Sequence, residues 1–139
     1  MPFKFLTQPT TGPDSKLCAF YALYHFTDGG VTKETYLDVA TSYYQTQLGM
    51  DRHDAAALAA DGNDPAVFTA FRLTEGDAAA VDTQTVLIVC DIGNGHFFTI
   101  RKDAGQWWNY DSFGRSKPTI IGDATAAKKL CGSHPVYHA

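Results

Sequence analysis

Three side chains in this 139-residue sequence could together perform nucleophilic chemistry: Cys18, His96 and Asp111. Cys18 opens the apolar stretch Leu17–Phe26, with Asp14 or Ser15 just upstream as N-cap residues, so a helix is expected there. A thiol in the first turn of a helix meets free backbone N–H groups and the positive end of the dipole. Both favour the thiolate. His25 cannot serve as its base, because seven residues along a helix carry it about 10 Å away. His96 can, if the strand it opens packs against the start of that helix. Runs His96–Arg101 and Gln106–Asp111 read as two strands of a hairpin joined by Lys102-Asp103-Ala104-Gly105. With a turn centred on Asp103-Ala104, His96 stands directly opposite Asp111 on one face, and the carboxylate can hold one imidazole nitrogen. Cys18, His96 and Asp111 then form a nucleophile, a general base and an orienting carboxylate, the arrangement of thiol-dependent acyl transfer.

The elements around these residues change character halfway along the chain. Leu17–Phe26 is apolar on nearly every side, the pattern of a buried helix. Thr32–Gln47 carries Tyr36, Val39, Ala40 and Tyr43 at helical spacing, Asp54–Ala60 is a short alanine-rich helix, and Pro65–Phe71 supplies another turn or two. From Val86 the pattern becomes Val-Leu-Ile-Val-Cys, a β-branched run suited to a strand buried on both faces. A last helix, Ala124–Leu130, starts behind Asp123 and stops at Gly132, and Val136-Tyr137 reads as a terminal edge strand. Helices first and an antiparallel sheet second predict one α+β domain over residues 1–139.

Composition narrows the function classes. Hydrophobic residues make up 45% of the 15.2 kDa chain, enough for a core without metal or disulfide support. The formal charge is −4, and the basic residues form no cluster beyond Arg101-Lys102 and Lys128-Lys129, which argues against a nucleic-acid partner. No apolar run is long enough to span a bilayer, so no membrane partner is expected. Residues 1–8 lack the charged-then-apolar pattern of an export signal. Three cysteines without a C-x-x-C pair fit a reducing compartment. The expected location is the cytoplasm, or a target cell reached through a specialised secretion system. The content of 18 alanines and 13 aspartates against 2 glutamates has a bacterial or phage-like cast. Proteins of this size and cast include effectors and toxins.

Leu17-Cys18-Ala19 opening a helix, followed by Gly95-His96-Phe97-Phe98-Thr99-Ile100-Arg101-Lys102 and Gln106-Trp107-Trp108-Asn109-Tyr110-Asp111-Ser112, resembles the Josephin domain. Josephin domains are papain-like cysteine proteases that remove ubiquitin. The same features suit C39-like peptidases and bacterial effector proteases and deamidases. The resemblance implies a papain-like fold, with the nucleophile at a helix start packed on a C-terminal antiparallel sheet. It also implies Cys18 as nucleophile, His96 as base and Asp111 in the third position, where Josephin domains usually carry asparagine. In the family pattern an oxyanion-hole glutamine lies about five residues before the cysteine. The only upstream glutamine here is Gln8, ten residues before Cys18, and it takes that role by way of an insertion at Thr10–Pro13. The implied activity is that of a thiol protease, a deubiquitinase-like isopeptidase or a protein glutamine deamidase without metal or organic cofactor. Its partner would be a protein substrate: ubiquitin, a ubiquitin-like protein or a host protein.

Other readings remain open at this point. A peptidoglycan amidase would use the same residues, and a binding module could keep the fold without the chemistry. In the adenain and SUMO-protease group the order is His, Asp, Cys, which Cys131 would satisfy, although no glutamine follows Gln106 as that group requires. Cys131, His134 and His138 are a weak metal pattern near a terminus. Cys90 is expected in the core, and Trp107 and Trp108 in core and sheet-face packing.

Overall fold

In the computed structural model, which describes residues 3–62 and 64–139, four α-helices flank one antiparallel sheet. The helices are α1 (Cys18–Phe26), α2 (Lys33–Leu48), α3 (Arg52–Asp61) and α4 (Ala124–Cys131). The strands are β1 (Thr74–Gly76), β2 (Val86–Asp91), β3 (His96–Asp103), β4 (Gln106–Asn109), β5 (Thr119–Gly122) and β6 (Val136–His138), in the order β1-β6-β2-β3-β4-β5. Alternation along β2 and β3 divides the core between the two faces. Ile88, Cys90 and Phe97 join Phe20, Leu23, Tyr36 and Tyr44 on the side of α1–α3. Leu87, Val89, Ile100 and Trp107 join Ala127 and Cys131 on the side of α4. The α+β class expected from the sequence is observed, and no helix among the described residues is long and apolar enough to cross a membrane.

Three of the four helices have side-chain N-caps: Thr32, Asp51 and Asp123 accept from the N–H of Thr35, Asp54 and Ala126. Helix α1 does not. Asp14 and Ser15, expected as its caps, belong instead to a separate 3-10 turn over Pro13–Lys16, and Leu17 takes the N-cap position with no side-chain bond. The helix is instead held by its flank and its far end. Thr99 Oγ1 on β3 donates to the Ala22 carbonyl at 2.6 Å, and Arg101 Nη2 donates to the carbonyls of His25 and Phe26 at 2.7 and 2.9 Å. These bonds align α1 with β3, so both begin at the same end of the sheet. The guanidinium also complements the negative end of the helix dipole.

The register of the β3–β4 hairpin differs from the expected one. Asp103 pairs with Gln106 and Ile100 with Asn109 around a two-residue turn, Ala104-Gly105, with φ of 53° and 79°. Positive φ at both central positions is the turn that matches strand twist, and the pairing shifts by two residues. A shift of two preserves the face, so His96 and Asp111 remain on the same side, diagonal rather than opposed. Strand β4 ends at Asn109, two residues before the expected limit. The Val136-Tyr137 segment, expected at an edge, lies inside the sheet between β1 and β2. The short strands β1 and β5 and the 3-10 turn at Ala78–Asp82 lack a periodic signal long enough to read.

His25 ties the N-terminal segment down. Its Nε2 accepts from the Leu6 N–H at 3.0 Å, and the ring sits 5.1 Å from Phe5 and 5.8 Å from Tyr110. Burial depresses its pKa to about 4, partly opposed by its bond to the Tyr21 backbone.

Two predictions follow the packing. Ala104 holds a left-handed conformation that asparagine tolerates better, so Ala104→Asn should stabilise the protein by about 0.5–1 kcal/mol in denaturant titrations. His25 binds its proton less readily folded than unfolded, so stability falls as pH drops below about 6.5 and levels off below the folded pKa. At pH 5 the loss from this group is about 2 kcal/mol, and His25→Gln should remove that part of the acid sensitivity in thermal melts at pH 7 and 5.

Candidate active site

Each candidate residue is fixed by a local device. Ala19 N–H donates to Gly62 O at 3.0 Å, which seats the first turn of α1 against the end of α3. Only glycine fits at 62: φ is 62°, and a Cβ would fall 2.5 Å from the Lys16 carbonyl. The Cys18 N–H, first in the helix, has no intrahelical acceptor. His96 is the first residue of β3 and pairs with Asp91, the last of β2. The Asp91 carboxylate closes the intervening turn by accepting from Asn94 Nδ2 at 2.7 Å and from the Asn94 N–H. Asp111 lies beyond β4, where the chain turns twice. Its N–H donates to Asn109 Oδ1 at 2.8 Å, and its own Oδ1 accepts from the Phe113 N–H at 3.3 Å. These are Asx turns.

The three groups meet at the shared end of α1 and β3. Cys18 Sγ is 3.5 Å from His96 Nδ1, and His96 Nε2 is 2.9 Å from Asp111 Oδ1. The sequence places Gln8 ten residues before Cys18, but the loop and 3-10 turn over residues 9–17 fold the separation back. Gln8 is 1% exposed. Its backbone bridges the Asp111 loop, donating to Ser112 O at 3.0 Å and accepting from the Gly114 N–H at 2.9 Å. Its Nε2 donates to Ser15 O at 3.1 Å and to Cys18 Sγ at 3.4 Å. All four residues proposed from the sequence converge on one point.

The electrostatics favour a thiolate–imidazolium pair. Burial alone would raise the Cys18 pKa, but the His96 hydrogen bond, the Gln8 amide, the His96 charge and the Phe97 backbone together bring it below the ordinary thiol value. The Asp111 hydrogen bond and then the Cys18 bond outweigh burial at His96 and raise it to about 10. Burial pushes Asp111 up, yet its bond to His96 and the His96 charge prevail, so it stays below its usual range. The remaining thiols behave oppositely: burial raises Cys90 to about 12 and Cys131 to about 11. Cys131 lies in the core on the α4 face, away from the Cys18–His96 pair, so the alternative His–Asp–Cys131 order is not assembled. Among the described residues, no group of three or more potential ligands forms a metal site, and Cys131, His134 and His138 do not make one.

Several neighbours escaped the sequence reading. Phe98 stacks on the His96 ring at 5.8 Å, and Phe113 approaches it edge-on at 6.1 Å. Phe113 follows Asp111 by two residues, and that spacing was the available signal. Cys18 lies where two clefts join, and both share Ser15, Cys18 and Gly95. One, of about 470 Å³, continues past His96, Asp111, Phe113 and Arg115. The other, of about 330 Å³, is bounded by Lys16 and Asp61. Trp107 is buried in the core as expected, while Trp108 is half-buried. No family model and no curated protein sequence matches the chain.

The pH dependence of Cys18 alkylation tests this network. Iodoacetamide should react with Cys18 at a lower pH than with free cysteine, because the thiol pKa is lowered. Asp111→Asn removes the charge that holds the imidazolium, so the profile should move up by roughly one pH unit. Asp111→Ala should shift it at least as far. Identical profiles for the three proteins would show that Asp111 does not act on His96.

Proposed function

We propose that this protein is a papain-like cysteine hydrolase that cleaves a peptide or isopeptide bond in a protein substrate. The observation that carries the reading is the continuous chain Cys18–His96–Asp111 at 3.5 and 2.9 Å, with the Gln8 amide 3.4 Å from the same sulfur. The Cys18 thiolate attacks the amide carbonyl carbon, forming a C–S bond and a tetrahedral oxyanion. The Cys18 N–H and the Gln8 Nε2 stabilise that oxygen. Losing one such donor typically costs 10²–10³-fold in rate. The proton on His96 Nδ1 passes to the departing nitrogen as the C–N bond breaks. Water, deprotonated by the now neutral His96, then hydrolyses the thioester and restores the thiol pair. Asp111 holds the ring throughout.

The shape of the cleft favours an amide with chain on both sides over deamidation of a side chain. Ammonia leaving from a glutamine needs no space beyond His96, yet the larger lobe extends there. The similarity to Josephin domains supports a ubiquitin-like protein as one candidate substrate, alongside other host proteins. The reading places the protein in a reducing cytoplasm, its own or that of a target cell.

Digestion of a proteome-derived peptide library and of linked ubiquitin, read by mass spectrometry for new N-termini, tests the reading. Cys18→Ala should abolish cleavage with little change in melting temperature. Cys90→Ala should keep Cys18 reactive but cost about 1 kcal/mol or more as a core truncation. A wild-type Cys18 that alkylates no faster than free cysteine at neutral pH would overturn the proposal.

A further inference from the structure

We infer that the leaving-group side of the cleft selects substrates with acidic side chains just beyond the scissile amine, an inference that rests on the hydrolase reading. His96 must deliver its proton to the departing nitrogen, so the chain attached to that nitrogen occupies the lobe that His96 lines. That lobe runs past Phe113 to Arg115 and continues into a shallow groove of about 310 Å³ that includes Arg115, Ser116 and Lys117. In a chain of net charge −4, the stretch from Ser112 to Gly122 holds two basic residues and no aspartate or glutamate.

Both cations are available. Among the described residues, the carboxylates that form ion pairs meet Lys33, His96 and Lys128, and neither Arg115 nor Lys117 has such a partner. Asp111, the one acid lining this lobe, is ion-paired with His96 and feels the Arg115 charge without pairing with it. Exposed apolar surface on Phe113, 41% accessible, offers contact for the methylenes of a glutamate. The acyl side differs, because Lys16 and Asp61 there carry opposite signs. Among the residues lining the cleft, an excess of basic side chains therefore lies only past His96.

The test uses the 139-residue chain carrying Cys18→Ala, which keeps the cleft but cannot turn over. Fluorescent decapeptides of alanine, glycine and serine carry glutamates in the C-terminal half, the same glutamates in the N-terminal half, or lysines in the C-terminal half. Fluorescence anisotropy at low salt should show the first binding about five- to tenfold more tightly than the third, and more tightly than the second. The preference should shrink at about 0.5 M salt and reverse in the Arg115→Glu/Lys117→Glu variant. Equal affinities, or a preference unchanged in that variant, would overturn the inference. Iodoacetamide alkylation of wild-type Cys18 separates the two failures. Rapid alkylation with charge-indifferent binding removes only the acidic preference, whereas slow alkylation removes the hydrolase reading and the lobe assignment with it.

Discussion

The arrangement of the site depends on how one helix is fastened to one strand. Thr99 and Arg101 donate to the carbonyls of Ala22, His25 and Phe26, tying the middle and end of α1 to alternate residues of β3. With the axis fixed there, the start of the helix and the start of the strand coincide, and Cys18 faces His96. Few other contacts could do this. An apolar helix on an apolar sheet can slide, since dispersion and hydrophobic burial are non-directional. Hydrogen bonds inside the core cannot be shifted by a turn without leaving the Thr99 hydroxyl and the Arg101 guanidinium unpaired in a region of low polarity.

The same anchoring explains how α1 tolerates its unusual beginning. Its three companions are capped by threonine or aspartate, whereas Leu17 leaves the first turn without a side-chain acceptor. Such a cap is typically worth about 1 kcal/mol. The first N–H groups of the helix, which a capping oxygen would otherwise take at Ala19 or Phe20, lie beside the thiolate and the oxyanion. The Gly62 carbonyl satisfies the second of them, at Ala19, and leaves the N–H of Cys18 for the cleft. Stability given up at the helix start is recovered along its flank, a common pattern where a site requires unpaired donors.

The sequence was legible where chemistry depends on short-range pattern. The apolar stretch after Leu17, the β-branched run after Thr85 and the His96 strand all read correctly because periodicity reports burial directly. The Cys18–His96–Asp111 grouping also emerged, although by a register two residues in error. Its survival reflects parity: any even shift keeps residues on one face, and the Asx turns at Asn109 and Asp111 supply the rest of the approach. Less legible were features set by distant partners. Asp14 and Ser15 look like caps, but the chain uses them in a separate 3-10 turn that folds the Gln8 side chain back toward the sulfur. The three-residue β1 exists because β6 lies beside it, and nothing within Thr74–Gly76 alone announces a strand.

The position of β6 has a consequence for how the molecule is made. It pairs with both β1 and β2, and Cys90 N–H donates to Pro135 O, so this segment closes a seam inside the sheet rather than decorating its rim. During synthesis every residue of the candidate site emerges before this strand. Until it does, one long edge of β2, composed of Val, Leu, Ile and Val, stands open to any extended chain nearby. Such an edge is prone to intermolecular pairing. Strand β6 thus acts as an internal zipper, drawing together segments about 60 residues apart only after the whole candidate site has been made.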